Sequence, residues 1–267
     1  MRQNGDAKKR MEREVWGSKR YYDILHKENL KNKHKSELIL KEYAKKAYTI
    51  LDLGCGEGSR LNILCGKKQK GVGIDISPLA IKLAKKNYPY LKFLKSDLEN
   101  IPLESSLFDF VYAAYVIEHL TSPEKVISEA IRVAKPGGKI LFVSPNFGSP
   151  NRASPPFKGS RIRKLVRGFF NDFFLKESNL NWLRVEPIAG KDKYESDWDT
   201  ISEPYLGSLI RFMKSNGCKV LFKDSLWEEE LKEAKLTQKI FRYLGERGFY
   251  PFSLWGPQLI IVCQKEK

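Results

Sequence analysis

A glycine-rich segment near residue 54 is the part of the sequence best suited to hold a small ligand. The apolar run Ile50–Leu53 contains Asp52, and glycines follow at positions 54, 56 and 58 before a helical pattern begins. Glycines at the end of a strand allow a tight turn and a close approach of the backbone to a ligand. A dinucleotide-binding loop requires a glycine at the position that Ser59 occupies here. The spacing is therefore D-x-G-x-G-x-G, which differs from the dinucleotide fingerprint.

His119 is the histidine best placed for acid–base chemistry. The other two histidines, His26 and His34, lie in the charged N-terminal region, whereas His119 closely follows an apolar run that ends at Ala113. In an α/β sheet the site opens at the carboxyl ends of the strands, where this segment falls. His119 can act there as a general base, or it can orient the following helix through hydrogen bonds. The sequence leaves both roles open.

Short apolar runs alternate with helical patterns from residue 48 onward. The predicted strands are Tyr48–Leu53, Gly71–Ile76, Leu91–Lys95, Phe108–Ala113 and Lys139–Ser144, and the predicted helices between them are Ser59–Cys65, Pro78–Asn87 and Pro123–Ala134. Strands joined by helices imply right-handed βαβ crossovers and a parallel sheet. The segment 134–138 (AKPGG) predicts a helix stop and a tight turn before the fifth strand. The pattern indicates a doubly wound, Rossmann-like α/β fold.

The alternation stops after the fifth strand and resumes near residue 205. The predicted C-terminal elements are a helix at Tyr205–Asn216, a strand at Cys218–Lys223, a charged helix at Glu228–Leu244 and an antiparallel last strand at Gln258–Gln264. We interpret residues 1–47 as a helical N-terminal extension and residues 48–267 as one domain. Residues 148–204 form an insert that is expected to cover the substrate.

The insert contains a basic and aromatic stretch at residues 160–175. Its apolar residues recur every three to four positions, which predicts a helix with an aromatic face and a basic first turn. The sequence leaves three placements open. The helix can close over the acceptor as a lid, lie on a membrane with its basic residues toward anionic head groups, or pack into the core.

Composition excludes several classes of protein. The chain has 48 Lys and Arg against 32 Asp and Glu, and 14 of the basic against 7 of the acidic side chains fall in residues 1–49. No apolar run is long enough to span a bilayer, and the charged N-terminus does not predict a signal peptide. The four cysteines form no C-x-x-C pair, which predicts neither a metal site nor a disulfide framework and favours a cytoplasmic location.

Five segments, taken in order, resemble class I S-adenosylmethionine-dependent methyltransferases of the small-molecule type 11 branch. They are Asp52–Gly58, Gly73–Ser77, Ser96–Leu98, Phe108–Leu120 and Arg132–Gly138. The resemblance extends from about residue 48 to residue 146. It implies S-adenosylmethionine as the cofactor and a methyltransferase activity.

The resemblance also implies a role for individual residues. Asp75 would accept hydrogen bonds from both ribose hydroxyls, and Asp97 would accept one from the adenine amino group. Asp52 and the glycine backbone would lie near the methionine end. The implied cofactor-binding set is Asp52, Gly54, Cys55, Gly56, Gly58, Asp75, Ile76, Asp97, Leu98, Ala114 and Tyr115.

The expected acceptor is an oxygen, carbon or nitrogen atom of a small molecule, such as a metabolite, a quinone or lipid precursor or a glycan intermediate. The fourth strand continues as Ala113-Ala114-Tyr115-Val116, which lacks the Asn-Pro-Pro-Tyr pattern of enzymes that methylate base amines. The basic residues of the insert favour an anionic acceptor, because arginine pairs bidentately with phosphate or carboxylate. Asn146 and Arg152 are the substrate-binding candidates.

The basic N-terminal region supports an alternative function. Trp16, Tyr21 and Tyr22 lie among its lysines and arginines, and aromatic side chains in such a setting can stack on bases. The alternative is an RNA- or protein-directed methyltransferase, or a methyltransferase-like protein that binds RNA through residues 1–49.

Overall fold

The computed structural model describes residues 9–12, 14–31, 34–174, 179–188, 195–227 and 236–266. Its helices are α1 (Lys19–Lys31), α2 (Lys35–Lys45), α3 (Ser59–Leu64), α4 (Pro78–Asn87), α5 (Pro123–Val133), α6 (Arg161–Phe174), α7 (Leu206–Ser215) and α8 (Leu236–Glu246). Its strands are β1 (Thr49–Leu53), β2 (Lys70–Asp75), β3 (Lys92–Lys95), β4 (Phe108–Ala114), β5 (Ala134–Pro145), β6 (Leu183–Arg184), β7 (Ser202–Glu203), β8 (Cys218–Asp224) and β9 (Gln258–Lys265).

Seven strands form one sheet in the order β3-β2-β1-β4-β5-β9-β8. The neighbouring pairs from β3 to β5 are parallel, whereas β9 is antiparallel to both β5 and β8. The strand order reverses between β1 and β4, so their carboxyl ends border a crevice where ligands bind in this class of sheet. The predicted doubly wound sheet with an antiparallel last strand is confirmed.

The sheet is buried on both faces, which explains why its strands read as continuous apolar runs. In β4, Val111 and Ala113 pack into a core with α5 and α7. The alternate residues Phe110 and Tyr112 pack on the opposite face with α2 and α3. The helices on the two faces therefore hold the carboxyl ends of β1 and β4 in a fixed position.

The fifth strand begins earlier than predicted. Ala134 pairs with Phe108, but the next pair is Lys139 with Phe110, so residues 135–138 bulge out of the ladder. Gly137 in this bulge has a φ of +79°, a conformation that glycine adopts without strain. The segment 134–138, which was predicted as a turn, is thus a bulge inside β5. The strand starts at Ala134 and not at Lys139, where it was predicted to start.

The helix predicted at Glu228–Leu244 is observed at Leu236–Glu246. Its predicted first half, residues 228–235, lies outside the described residues. The short antiparallel pair β6–β7 in the insert was not predicted, since each strand has only two residues. Such a pair leaves no periodic signal in the sequence.

Asp109 ties together β1, β4 and the bulge in β5. Its Oδ2 accepts hydrogen bonds from the backbone N–H of Thr49 at 2.8 Å and from the Thr49 hydroxyl at 2.9 Å. Its Oδ1 lies 2.6 Å from Nζ of Lys135. Partial burial disfavours the carboxylate, but the bonds from Lys135 and Thr49 outweigh it and lower the pKa of Asp109 to about 2.

We predict that Asp109→Asn lowers the free energy of unfolding by about 1 kcal/mol at neutral pH, because this carboxylate remains partly exposed to screening solvent. The folded-state pKa is depressed, so the contribution is present above the ordinary value of 3.8 and is lost as the pH falls toward 2. Urea denaturation at pH 7 and below pH 4 measures the difference. Glu104→Gln, at an exposed position, is the control. A difference between wild type and Asp109→Asn that stays constant across this pH range contradicts the assignment.

Candidate active site

A cleft of about 370 Å³ lies at the carboxyl ends of the central strands. This volume falls within the range of small-molecule sites. Ten of the cofactor-binding and catalytic candidates line it, namely Gly54, Cys55, Gly56, Asp75, Ile76, Asp97, Leu98, Ala114, Tyr115 and His119. Asp52, Gly58, Asn146 and Arg152 lie outside this lining.

The glycine loop forms the floor of the cleft, because its backbone folds back on β2. The N–H groups of Gly54 and Cys55 both donate to the carbonyl of Ile74, and all three glycines of the loop have positive φ. A Cβ atom at Gly54 would lie 2.5 Å from Cγ2 of Val116. At Gly56 it would meet nothing nearer than Tyr22, at 3.8 Å. Gly56 therefore presents open backbone to a ligand.

Gly58 serves the core beneath the loop. A Cβ atom there would lie 2.8 Å from the ring of Phe93 and 3.2 Å from Ala84, and Gly58 is the N-cap of α3. Gly58 thus sets the geometry of the loop and does not line the cleft.

Asp75 presents a fixed carboxylate at the end of β2. Its Oδ2 accepts a hydrogen bond from the N–H of Gly56 at 2.9 Å, and its Oδ1 accepts one from the N–H of Ser77 at 2.8 Å. Burial raises the pKa of Asp75, although these backbone donors oppose the shift. The N–H of Ile76 is a further backbone donor that opposes the shift, so the carboxylate is held in one orientation at the edge of the cleft.

Asp97 follows β3 and borders the same cleft. Its Oδ1 accepts a hydrogen bond from the N–H of Glu99 at 3.1 Å, which fixes the turn after the strand. Asp75 and Asp97 therefore lie next to the ends of two neighbouring strands, on the same cleft.

Asp52 lies under the cleft, where it is almost completely buried. Burial raises the pKa of Asp52 to about 7, while the nearby hydroxyl of Tyr112 and guanidinium of Arg60 act in the opposite direction. Asp52 therefore acts on Tyr112 and Arg60 and does not itself line the cleft.

Arg60 is a site residue that the sequence reasoning missed. Its Nε donates to Glu37 at 3.1 Å, its Nη1 lies 3.4 Å from the carbonyl of Ala114, and the guanidinium lies 5.5 Å from the centre of the Tyr115 ring. Arg60 lines the cleft from the first turn of α3. Its position two residues after Gly58 was the feature of the sequence that could have placed Arg60 beside the glycine loop.

Tyr115 has a strained backbone at the edge of the cleft. Its φ is +60°, a conformation that costs a non-glycine residue about 1–3 kcal/mol. A hydrogen bond of 2.8 Å from its N–H to the carbonyl of Val143 stabilises this conformation. Its hydroxyl donates to Gln258 at 3.2 Å. The strained turn places Tyr115 beside Arg60.

The N-terminal extension forms one wall of the cleft through Trp16, Tyr21, Tyr22 and Leu25. The carbonyl of Trp16 accepts hydrogen bonds from the Tyr22 hydroxyl at 2.9 Å and from the Ser77 hydroxyl at 2.8 Å. The three aromatic side chains on which RNA binding was predicted therefore face the cleft, and Tyr22 is 3% exposed. Tyr22 is therefore not available to stack on a base, whereas Trp16 and Tyr21 are half-buried at the cleft, and RNA binding stays a prediction.

His119 is held by the insert. Its Nδ1 lies 3.0 Å from the carbonyl oxygen of Asp199, and its ring makes an edge-on contact with Trp16 at 6.0 Å between centres. The Trp16 indole in turn donates to the Asp199 carboxylate at 3.1 Å. Nδ1 carries the proton when it donates to this carbonyl, so Nε2 is the basic nitrogen. Asp199 was not among the site residues predicted from the sequence.

Carboxylates adjust the basicity of His119. Burial disfavours its charged form, but the carboxylates of Asp199 and Glu118 outweigh burial and raise the pKa of His119. Glu118 is itself buried, and burial raises its pKa to about 7 even though His119 opposes the shift. Its Oε2 accepts a hydrogen bond from Ser144 at 2.9 Å. The site thus combines His119, whose pKa is raised, with Glu118, whose pKa is raised to about 7.

Asn146 lies in the core and supports the C-terminal segment. Its amide donates to the carbonyls of Leu254 at 2.7 Å and Gly256 at 2.9 Å, and its Oδ1 accepts from the N–H of Leu206 at 3.0 Å. These bonds occupy the side chain away from the cleft.

Arg152 borders a second cleft, of about 530 Å³, together with Phe157 and Arg161. Asp197 lines both clefts, so the second cleft adjoins the first.

Within the described ranges, no group of His, Cys, Asp and Glu side chains could hold a metal ion. The same part of the chain contains no helix able to cross a membrane.

The strand order, the antiparallel edge pair and the nucleoside-sized cleft at the switch point define the class: a Rossmann-like methyltransferase fold. Residues 51–142 match the family model described as a methyltransferase domain. These residues therefore form a class I S-adenosylmethionine-dependent methyltransferase domain of the type 11 branch.

The curated relatives are similar mainly over this domain. A probable S-adenosylmethionine-dependent methyltransferase of Mycolicibacterium smegmatis is 32% identical over 40% of this chain and 42% of its own length. A ubiquinone/menaquinone biosynthesis C-methyltransferase of Campylobacter jejuni is 31% identical over 39% of this chain and 48% of its own length. Tocopherol O-methyltransferase of Arabidopsis thaliana is 26% identical over 84% of this chain and 65% of its own length. The chain thus matches less than two thirds of each.

Solved structures share the fold over a larger part of the chain. A methyltransferase from Listeria monocytogenes covers 86% of this chain and 100% of its own, with a TM-score of 0.54 at 16% identity. One from Bacillus halodurans covers 86% and 99%, with a TM-score of 0.54 at 14% identity. At these identities the likeness concerns the fold.

We predict that His119 titrates above the ordinary imidazole pKa of 6.5 and that Asp199→Asn lowers its pKa. The substitution keeps the backbone carbonyl that accepts from Nδ1 and removes the negative charge beside the ring. Titration of the histidine resonances by NMR measures the change, with His119→Gln providing the assignment. Glu195→Gln, an exposed substitution in the same segment, controls for a general effect of charge. A His119 pKa that does not move in Asp199→Asn contradicts the arrangement.

Proposed function

We propose that the chain transfers the methyl group of S-adenosylmethionine to an oxygen or carbon atom of a small molecule, with His119 as the general base. The observation that carries the proposal is the single cleft that joins the glycine loop, Asp75 and Asp97 to His119. The first three groups match the parts of an adenosyl group, and His119 supplies a proton acceptor in the same space.

The fit to the donor follows from the fixed groups of the cleft. Asp75 is positioned to accept both ribose hydroxyls, since backbone donors already hold its carboxylate in one orientation. Asp97 and the backbone of Leu98 would meet the adenine. Gly56 leaves room for the sugar or the methionine chain to approach the loop, because its missing side chain would point toward Tyr22. Ile76 and Cys55 complete the apolar wall of the cleft.

Arg60 would bind the carboxylate of the donor's methionine part. It contacts the carbonyl of Ala114 and the ring of Tyr115, and both residues belong to the cofactor-binding set that the family resemblance implies. Asp52 and Glu37 lie beside Arg60 and keep its guanidinium charged within the buried site. A bidentate pair with a carboxylate is the interaction for which the arginine side chain is best shaped.

The sulfonium of the donor makes its methyl group a good electrophile, so alignment is the main contribution of the protein. Positioning of two reactants can contribute about 7–11 kcal/mol. Nε2 of His119 is the group that would take the proton of an acceptor hydroxyl or acidic carbon. The carbonyl of Asp199 holds the ring in the tautomer that leaves this nitrogen basic.

The acceptor is inferred from the second cleft and from the names of the relatives. These relatives include a tocopherol O-methyltransferase, a quinone C-methyltransferase and a malonyl-[acyl-carrier protein] O-methyltransferase. Their reactions support an oxygen or carbon acceptor. Arg152 and Arg161 line the second cleft, which supports an acceptor with a phosphate or carboxylate group. Asn146 would then support this region without touching the acceptor.

Calorimetric titration with S-adenosylmethionine and with S-adenosylhomocysteine tests the cofactor part of the proposal. We predict that Asp75→Ala weakens the binding of both by about 1.5–3 kcal/mol, the range for hydrogen bonds to a charged group. Glu104→Ala, at an exposed position remote from the loop, should bind as wild type does. Failure of the wild type to bind either compound, or equal affinity in Asp75→Ala, overturns the assignment of the cleft.

The test of the base begins with an acceptor, found by incubating the enzyme and labelled donor with metabolite extracts. We predict that His119→Gln then lowers kcat by about 10²–10⁴-fold with little change in donor affinity. The wild-type rate should fall on the acid side of the His119 pKa, because the protonated ring cannot accept a proton. Asp199→Asn should move this acid limb to lower pH. An unchanged kcat in His119→Gln would leave His119 with only its alternative role in orienting the chain.

A further inference from the structure

The outer face of α6 exposes an unusual set of large apolar side chains. This α6 apolar face consists of Ile162, Leu165, Val166, Phe169, Phe170, Phe173 and Phe174, whose exposed fractions lie between 41% and 76%. No residue of α6 is buried. The sequence-based alternatives of a core helix, or of a lid with its aromatic face turned inward, are therefore wrong for this helix.

The helix is attached to the protein through its polar side. Nζ of Lys164 pairs with the completely buried carboxylate of Glu203 and donates to the carbonyl of Phe147. One turn later, a Cβ atom at Gly168 would lie 2.5 Å from Cγ of Pro150. The helix backbone thus packs directly on Pro150, at the start of the insert.

A second anchor follows one further turn along the helix. The carboxylate of Asp172 accepts hydrogen bonds from the Tyr205 hydroxyl at 2.6 Å and from the Trp255 indole at 2.9 Å. Residues 164, 168 and 172 are spaced by four and lie on one side of a helix. Because this polar side is fixed to the domain, Phe170 and Phe174 are held away from it, while Phe169 and Phe173 also contact the Tyr250 ring at 6.1 and 4.9 Å between ring centres.

Basic side chains border the α6 apolar face. Arg161, Arg163 and Arg167 are exposed, as is Lys158 just before the helix. Asp172 is the acidic residue between 158 and 174, and its carboxylate is engaged with Tyr205 and Trp255. Among the described residues, the outward surface therefore combines aromatic rings with a positive rim.

We propose that the α6 apolar face docks on the surface of an anionic lipid bilayer, with its phenylalanines in the interfacial region and its arginines among the head groups. An apolar helix face with a basic border is the arrangement that binds to anionic membranes. A second copy of this chain would bring the same positive rim against itself, so charge complementarity favours lipid. The proposal does not depend on the methyl-transfer reaction.

Sedimentation with vesicles tests the proposal on the full chain. The probes are vesicles of phosphatidylcholine alone and vesicles in which about one quarter of the lipid is phosphatidylglycerol. The double variant Phe170→Asp/Phe174→Asp removes the stacked outer pair of rings. Arg163→Gln/Arg167→Gln removes two charges from the rim. Leu38→Asp is the matched control, because Leu38 is 63% exposed on α2, which packs on the opposite face of the sheet.

We expect binding to the anionic vesicles that falls about ten-fold or more in the phenylalanine variant. The arginine variant should bind several-fold more weakly, and Leu38→Asp should bind as wild type does. Donor affinity and thermal unfolding, measured on each variant, should be unchanged, which separates this proposal from the assignment of the cleft. Absence of binding to anionic vesicles, or equal binding to neutral ones, overturns it. So does concentration-dependent self-association that the phenylalanine variant alone abolishes.

Discussion

The reversal of strand order between β1 and β4 is the constraint on which the site depends. Chain segments that leave these two neighbouring strands pass to opposite faces of the sheet, so no backbone fills the space between their carboxyl ends. The glycine loop occupies one side of this space, and Tyr115 occupies the other with a positive φ. Strand order thus creates the crevice, and unusual backbone conformations on both sides keep side chains from closing it.

Two segments far apart in the chain convert this open crevice into an enclosed cleft, and Asp199 joins them. Its carboxylate accepts from the indole of Trp16, and its carbonyl lies against Nδ1 of His119. The same residue therefore fixes the N-terminal wall and orients the proposed base. The side chain and the backbone carbonyl of one buried residue therefore serve the wall and the base separately, so a change of its side chain can alter the wall while the contact with Nδ1 is kept.

The parts of the site that could be predicted are local in the chain. The loop follows β1, Asp75 ends β2 and Asp97 comes two residues after β3, so the strand pattern placed all three at one edge of the sheet, and the family resemblance assigned their roles. Trp16 and Asp199 are separated by 183 residues, and no pattern in the sequence specifies that pair. Arg60 was missed because an arginine in a first helical turn is ordinarily exposed. Asn146 was assigned to substrate from its position after β5, yet backbone groups of the C-terminal segment occupy its amide.

The orientation of α6 shows why amphipathic periodicity does not determine which side of a helix is buried. A regular apolar stripe ordinarily faces the core, because burial of apolar area is the largest favourable contribution to packing. In α6 the ion pair of Lys164 with Glu203 and the bonds of Asp172 fix the other side instead. Turning the helix over would bury its phenylalanines but would leave Glu203 as an unpaired charge in the interior, at a cost of about 3–5 kcal/mol. The ion pair of Lys164, the bonds of Asp172 and the close contact of Gly168 with Pro150 act together to hold the observed orientation, in which the aromatic face is exposed.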